Sequence, residues 1–254
     1  MKTVGSATWV GRGIALGVAV LVPGLSGGTV ALIMGFYRSL LANLGEMRFS
    51  SALPLGAGIL GGILGGSRVM ERLLATHPDA VGFFLSGLVL AGGLCLVGRG
   101  TRPVSLWALA LGLFAGWLMA GSEWIAAVDA GTSKVWLFAG GFVASSALVV
   151  PGLSGASLLI LVGQYDEILR AVNQMNLAVL WPFGLGVGLG VVAVGRLVLG
   201  ALRTRERLVF PLLVGLMMGC VRALWPTEWS AVGMLLFVLG SGLAVLFRGV
   251  DKSG

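Results

Sequence analysis

Residues 22–29 read VPGLSGGT, and residues 150–157 read VPGLSGAS, so one unusual stretch occurs twice in the chain. Proline removes a backbone hydrogen-bond donor and clashes with the preceding helical turn, and glycine is the next-poorest helix former. Both stretches nevertheless lie within apolar sequence. They predict two helices that are interrupted at their centres.

The surrounding sequence is typical of a membrane protein. Of the 254 residues, 57% are hydrophobic and 11% are charged, whereas soluble domains carry about 25% charged residues. About 20 apolar residues in a helix cross the ~30 Å hydrocarbon core of a bilayer, so the composition predicts an all-α polytopic membrane protein. The uncharged runs are 13–37, 49–67, 80–98, 103–122, 135–165, 171–195, 208–221 and 229–247.

The net charge of +7 fits the basic bias of cytoplasmic membrane loops. No basic patch interleaved with aromatic residues indicates nucleic-acid binding. Cys95 and Cys220 lie in or at the end of apolar runs without metal-ligand spacing, and His77 precedes Pro78 in a polar connection. The sequence therefore predicts no metal, no cofactor and no nucleic-acid partner.

A shift of 128 residues aligns the chain with itself without gaps, and 15 of the 49 positions over 22–70 are identical. We therefore expect a single membrane domain, 1–254, built from repeats at 9–120 and 135–248 with a connecting loop at 121–134. The matched residues include Pro23 and Pro151, Gly35 and Gly163, Tyr37 and Tyr165, Pro54 and Pro182, and Arg68 and Arg196.

Each repeat is predicted to contain an interrupted segment, at 9–45 or 135–173, followed by three membrane-spanning helices. If the interrupted segment enters the bilayer and returns as a re-entrant hairpin, each repeat crosses the membrane an odd number of times. The second repeat is then inverted relative to the first, an architecture that many transporters share. An interrupted helix that crosses once remains the alternative. The other spans are predicted at 51–70, 80–98, 104–120, 178–197, 208–224 and 229–247.

Basic residues predict the orientation of the chain. With hairpins, 12 of the 17 lysines and arginines fall on one side and 5 on the other, whereas single crossings divide them about 11 to 6. Because basic loops stay in the cytoplasm, both termini are predicted to be cytoplasmic in either arrangement. The smaller set comprises Arg68, Arg72, Lys134, Arg170 and Arg222.

The residues around each break form a candidate anion site. A broken helix persists inside a bilayer only when it is buried in protein or lines a wet cavity. Serine or threonine caps the new helix, glycine lets a ligand approach the backbone, and free amides at a helix start attract an anion. The candidate phosphate-binding residues are Gly24, Ser26, Gly27, Gly28, Thr29, Gly152, Ser154, Gly155 and Ser157.

A tight turn with packing glycines would explain one such stretch alone. The duplication favours a ligand site instead, and two tips of inverted repeats would meet near the midplane. Arg68 and Arg196 complete the candidate site, because an arginine at membrane depth often marks a partner or a pathway and its fork of donors suits a phosphate. Extension of either arginine to the headgroup region is the alternative interpretation.

The paired motifs resemble those of the bacterial polyprenyl-phosphate transporter family, PopT type. Each is followed by a glycine and a tyrosine, in Gly35-Phe36-Tyr37 and in Gly163-Gln164-Tyr165, and the resemblance covers essentially the whole chain. It implies a multi-pass protein of the bacterial plasma membrane that returns undecaprenyl phosphate, the lipid carrier of cell-wall synthesis, from the outer to the inner leaflet.

The resemblance also implies an acidic residue after each tyrosine. Asp166 fits that pattern and Arg38 does not, so a symmetric role for these positions is in question. Tyr37, Arg38, Tyr165 and Asp166 are the candidates for gating or coupling. Whether the protein forms a homo-oligomer is left open.

Two other functional classes compete with lipid transport. A small-anion channel or exchanger would use the same broken-helix site. An intramembrane serine protease would use Ser26 or Ser154, but a serine nucleophile needs a general base within reach, and the one histidine lies in a loop. The sequence therefore predicts a transporter and not an enzyme.

Overall fold

The computed structural model of the protein describes residues 5–21, 25–45, 49–98, 105–120, 133–155, 158–159 and 162–250. Its regular elements in these ranges are helices. They are α1 (Ser6–Val20), α2 (Gly27–Ile33), α3 (Tyr37–Gly45), α4 (Phe49–Thr76), α5 (Pro78–Gly98), α6 (Leu106–Met119), α7 (Lys134–Val149), α8 (Tyr165–Asn173), α9 (Leu177–Gly219), a 3₁₀ turn (Cys220–Leu224) and α10 (Ala231–Val250).

Three helical stretches are long and apolar enough to cross a membrane: Ser51–Thr76, Pro78–Gly98 and Leu177–Leu224. Shorter apolar helices are Ser6–Val20, Leu106–Met119, Lys134–Val149 and Ala231–Phe247. Many of their leucine, valine and tryptophan side chains are exposed, as expected of surfaces that face hydrocarbon. The prediction of an all-α chain with membrane-length apolar helices is confirmed for the described ranges.

Both interrupted segments break where the sequence predicts. In the first, α1 ends at Val20, and Ser26 has an extended backbone immediately before α2 begins. In the second, α7 ends at Val149, Val150 is extended, and Gly152 adopts a φ of +85° that glycine tolerates far better than other residues. Residues 22–24 of the first motif lie outside the described ranges.

Helices of the two halves begin at matching positions. Helices α1 and α7 start 128 residues apart, as do α3 and α8, and α4 and α9. Their close packing matches as well, since α1 lies against α4 and α7 lies against α9. A methyl group at Gly13 would collide with the Leu55 carbonyl, and one at Gly141 with the Phe183 carbonyl. Small residues bring both helix pairs equally close.

The later helices pair across the two halves. Helix α5 packs against α10, and α6 packs against the part of α9 that follows residue 205. Gly87 lies against the Phe237 carbonyl and Gly215 lies against the Leu109 carbonyl. Adding 128 to one member of the first contact and subtracting 128 from the other gives the second contact.

Helix α9 corrects one predicted boundary. We expected separate spans at 178–197 and 208–224, whereas one helix covers Leu177–Gly219 and bends at Arg205, which has φ −133° and ψ 43°. The matching position in the first half is His77, where the chain leaves the helix before Pro78. A proline disfavours helical backbone at the residue before it. Because Glu206 replaces that proline, the break becomes a bend.

Candidate functional site

The two motifs meet through direct hydrogen bonds, which we call the motif crossing. The Gly152 amide donates to Ser26 Oγ at 3.1 Å and to Thr29 Oγ1 at 3.0 Å. The two hydroxyls also pair with each other at 3.0 Å, and Ser26 Oγ lies 3.4 Å from the Val150 carbonyl. The geometry therefore brings together the two motif tips that the sequence singles out.

Ser26 has two roles at the motif crossing. It is the N-cap residue of α2, and its hydroxyl accepts a hydrogen bond from the Thr29 amide at 3.1 Å. Serine is among the preferred N-cap residues because its oxygen satisfies a free amide of the first turn. Ser26 and Thr29 are 3% and 2% exposed, so this polar group is enclosed by protein.

Glycine is required on both sides of the crossing. A methyl group at Gly28 would lie 2.8 Å from the Val149 carbonyl oxygen, and one at Gly152 would lie 2.7 Å from the Leu216 carbonyl oxygen. The predicted close approach of a ligand to the glycines is in this arrangement a close approach of the two motifs to each other. Gly27 and Gly155 have more room, since a methyl group there meets no atom closer than 3.5 Å.

Tyr37 forms a second link between the halves. It begins α3, is 3% exposed, and its hydroxyl donates to the Val149 carbonyl at 2.8 Å. Tyr165, its counterpart at the start of α8, is 36% exposed. The two tyrosines that the sequence groups together therefore occupy different environments.

The second motif rests on the end of α9. The Gly152 carbonyl accepts a hydrogen bond from Cys220 Sγ, and Cys220 Sγ also lies 3.5 Å from the Gly116 carbonyl of α6. Cys220 is 3% exposed. The thiol is therefore buried between the motif crossing and two helices that line the membrane domain.

Arg196 lies apart from the motif crossing. Its Nε donates to the carbonyl of Gly45, the last residue of α3, at 2.6 Å. Tyr37 and Gly45 lie at opposite ends of α3, about 12 Å apart at the helical rise per residue. Arg196 thus binds a helix C-terminus, where a cation is favourable.

Other candidate residues have diverse placements. Ser154 and Gly155 belong to the second motif as described, and the Ser154 carbonyl accepts from the Leu158 amide. Arg38 forms an exposed ion pair with Glu206, which follows the bend of α9. Gly24 and Ser157 lie outside the described residues, as do the side chains of Arg68 and Asp166.

Arg12 is a residue that the sequence analysis did not single out. Its guanidinium lies 4.8 Å from the Trp9 ring centroid and 4.9 Å from that of Phe36. The matching positions in the second half are Gly140 and Gln164, and Gln164 Nε2 donates to the Trp136 carbonyl at 2.7 Å. A charge three residues after a tryptophan inside an apolar helix was the available signal, because such residues share a face.

The crossing can donate hydrogen bonds to an anion. Each hydroxyl carries one O–H donor and Gly152 carries its amide N–H. Among the described residues, Ser26 Oγ has hydrogen-bond partners at Thr29, Val150 and Gly152, and none of these is a general base. In the same ranges no three His, Cys, Asp or Glu side chains lie together. The chemistry on hand is anion binding by neutral donors.

Comparisons with known proteins agree with the motif resemblance. A family model described as VCA0040-like, undecaprenyl phosphate translocase-like, matches residues 16–53 and 47–236. A polyprenyl-phosphate transporter of Vibrio cholerae is 29% identical, over 85% of this chain and 76% of that protein. One of Staphylococcus aureus is 25% identical, over 90% of this chain and 91% of that protein. No solved structure matches the chain.

Proposed function

The chain belongs to the undecaprenyl phosphate translocase-like family, and from this premise we propose that it transports polyprenyl phosphate across a membrane. Relatives named polyprenyl-phosphate transporters align with most of its length. In this proposal it moves undecaprenyl phosphate from the outer to the inner leaflet of the bacterial plasma membrane. The lipid carrier thereby returns to cell-wall synthesis.

The motif crossing carries the proposal that the phosphate binds to the PGLSG tips. Three donors converge there from both halves of the chain: the hydroxyls of Ser26 and Thr29 and the amide of Gly152. A phosphate oxygen can accept from each of them in place of the bonds that they now make to one another. Exchange of bonds between the motifs for bonds to phosphate would couple substrate binding to separation of the two tips.

We assign Arg68 and Arg196 a later role on the path of the phosphate. Arg196 contacts the far end of α3 from the motif crossing, so it would meet the headgroup at a different depth. Nε is the atom that binds Gly45, and a guanidinium has further donors on its two Nη atoms. These would neutralise the phosphate after it leaves the crossing.

Inverted repeats, 9–120 and 135–248, follow from the direction of matched helices. Gly93 of α5 lies against Met218, while Ser86 Oγ donates to the Leu224 carbonyl at 3.3 Å. Helix α5 therefore runs antiparallel to the segment that occupies the same place in the second half. An operation that reverses a membrane helix inverts the repeat, which supports the hairpin interpretation and cytoplasmic termini.

The direction of transport requires an energy source. With the cytoplasm negative, an inward-moving anion meets an opposing free energy of about 2.3 kcal/mol per charge per 100 mV. We therefore propose that protons or cations accompany the phosphate. Tyr37, Arg38, Tyr165 and Asp166 adjoin the two interrupted segments and are the residues to which we assign gating or coupling.

A leaflet-resolved liposome assay with labelled undecaprenyl phosphate tests the proposal. We expect wild-type protein to move the lipid, and the double variant Ser26→Ala, Thr29→Val to move it at least about tenfold more slowly, because two charge-assisted hydrogen bonds are lost. The matched control is Ser67→Ala, Thr76→Val, which changes the same atoms in hydroxyls that bond to carbonyls of their own helix, α4. Arg68→Ala and Arg196→Ala complete the set, and at least one should be impaired.

Three outcomes would contradict parts of this proposal. Flux of inorganic phosphate or chloride without lipid movement would indicate a small-anion channel or exchanger. Lipid movement that ignores both the pH gradient and the voltage would remove the coupling. Equal rates in both double variants would remove the phosphate from the motif crossing.

A further inference from the structure

An apolar groove of about 830 Å³ lies between α5, α6 and the end of α9. Phe114 and Trp117 on its wall are 60% and 50% exposed, so the groove opens sideways from the helices. The apolar side chains that form it are Leu90, Leu113, Phe114, Trp117, Met218 and Val221. This shape suits a hydrocarbon chain that remains partly in the bilayer.

A cation lies at the groove. The Arg222 guanidinium stacks on the Trp117 ring, 4.1 Å from the centroid, and its Nη1 donates to the Trp117 carbonyl at 3.1 Å. A guanidinium has five N–H donors, so this bond leaves most of the fork for a ligand. Among the described residues, no carboxylate lies within ion-pair distance of Arg222.

Tryptophans indicate the depth of Arg222. Trp225 also lines the groove, and its ring centroid lies 5.9 Å from that of Trp229. Tryptophan is enriched where a bilayer meets water. Arg222 therefore lies at headgroup depth, while Leu90 and Leu113 belong to membrane-length apolar helices.

The duplicated architecture does not by itself account for this groove. At a shift of 128 residues, Leu94 replaces Arg222, Val245 replaces Trp117 and Gly242 replaces Phe114. The second copy of the fold therefore lacks the cation and both aromatic walls. A feature that one half has acquired alone indicates a role that one side of the membrane requires.

We propose that this groove is the entry site for the lipid substrate, a polyprenyl monophosphate, with the phosphate on Arg222 and the isoprenoid chain along the apolar wall. The inference rests on the proposed transport function and adds a second site to it. Charge complementarity selects this occupant, because an arginine fork matches phosphate oxygens and the wall matches a single long hydrocarbon chain. In the orientation proposed above, Arg222 belongs to the outer side, where the lipid is collected.

The groove also adjoins the motif crossing. Met218 and Gly219 line its inner wall, and the next residue, Cys220, donates to the Gly152 carbonyl. A headgroup that leaves Arg222 therefore moves along the end of α9 to reach the second motif. This continuity distinguishes the groove from an ordinary lipid-facing surface.

Binding of undecaprenyl phosphate and undecaprenol to the purified full chain in nanodiscs tests the proposal. We expect Arg222→Gln to weaken retention of undecaprenyl phosphate at least about tenfold and to leave undecaprenol unchanged. Ala110→Phe, which fills the groove, should weaken retention of both lipids. Arg72→Gln is the matched control, since it removes an exposed arginine of the same predicted side and should bind like the wild type.

The outcomes separate this inference from the transport function. Equal retention by wild type, Arg222→Gln and Ala110→Phe, with lipid movement intact in liposomes, would overturn the groove and leave the transport function standing. Undecaprenol bound by wild type as tightly as undecaprenyl phosphate would overturn the role of Arg222. A wild type that neither retains nor moves undecaprenyl phosphate would overturn the transport function and the groove together. Ala110→Phe, which changes a lipid-facing residue, decides the case if Arg222→Gln does not fold.

Discussion

The first and second PGLSG motifs are nearly identical in sequence, yet they contribute different chemical groups to their shared contact. The first supplies side-chain hydroxyls, from Ser26, Thr29 and the following Tyr37. The second supplies main-chain groups, namely the carbonyls of Val149 and Val150 and the amide of Gly152. Duplication produced two equal backbones, and their contact uses opposite parts of each.

The same inequality extends to the surroundings of the motifs. Phe36 stacks near the Arg12 guanidinium, whereas its counterpart Gln164 is 1% exposed and lies against Gly140. A cation accompanies one motif and a neutral amide accompanies the other. The two halves of the chain therefore present different electrostatic environments on the two sides of the crossing.

Gly152→Ala should produce the largest effect on this comparison, because the second motif presents its backbone only while residue 152 has no side chain. Its positive φ and its contact with the Leu216 carbonyl predict a loss of about 2–5 kcal/mol in the free energy of unfolding. Gly155→Ala is the control, with its nearest atom at 3.6 Å. Thermal unfolding in detergent measures both, and equal stability of the two variants would contradict the close approach.

The double variant Ser26→Ala, Thr29→Val should follow, since it removes both acceptors of the Gly152 amide. Each single variant keeps one acceptor, so the double variant should lose more than the sum of the singles, about 2–4 kcal/mol in total. A double-mutant cycle on thermal unfolding measures the coupling. Strict additivity would show that the two hydroxyls do not share the amide.

Tyr37→Phe compared with Tyr165→Phe tests the inequality most directly. Loss of the buried bond to the Val149 carbonyl should reduce the free energy of unfolding by about 1–2 kcal/mol. The exposed Tyr165 should tolerate the same change within about 0.5 kcal/mol. Matched thermal unfolding of the two variants is the measurement, and a reversed order would assign the buried role to the second tyrosine.

The smallest effect is expected for the ion pair of Arg38 and Glu206, which joins α3 to the bend of α9. Both side chains are about half exposed, so Arg38→Ala should change stability by less than about 1 kcal/mol. The exchanged pair Arg38→Glu, Glu206→Arg should recover that difference at low salt. Unfolding at low and high salt checks this, and a large salt-independent loss would contradict a screened surface pair.

Much of the fold could be predicted because its determinants are local. Proline and glycine interrupt an apolar helix wherever they occur, so the breaks after Val20 and Val149 were visible in the sequence. The bend at Arg205 was not, because charged residues resemble a loop in hydropathy although they form helices well. Comparison of Glu206 with Pro78 at the matching position would have revealed it.

The site was only partly predictable for a different reason. Residue types identified the motif tips and suggested that they meet, but sequence contains no information on which group faces which. The hydroxyls of the first motif are directed to the amide of the second, and Arg196 binds the end of α3. Such pairings depend on helix rotation and depth, which hydropathy and composition leave undetermined.

The position of Cys220 has a practical consequence. Its sulfur is covered by the Gly152 carbonyl on one side and by α6 on the other, so alkylating reagents reach it only after the second motif withdraws. The rate of Cys220 alkylation is therefore a native reporter of how often the two halves separate. Cys95, which is less buried, supplies an internal reference for reagent access in the same molecule.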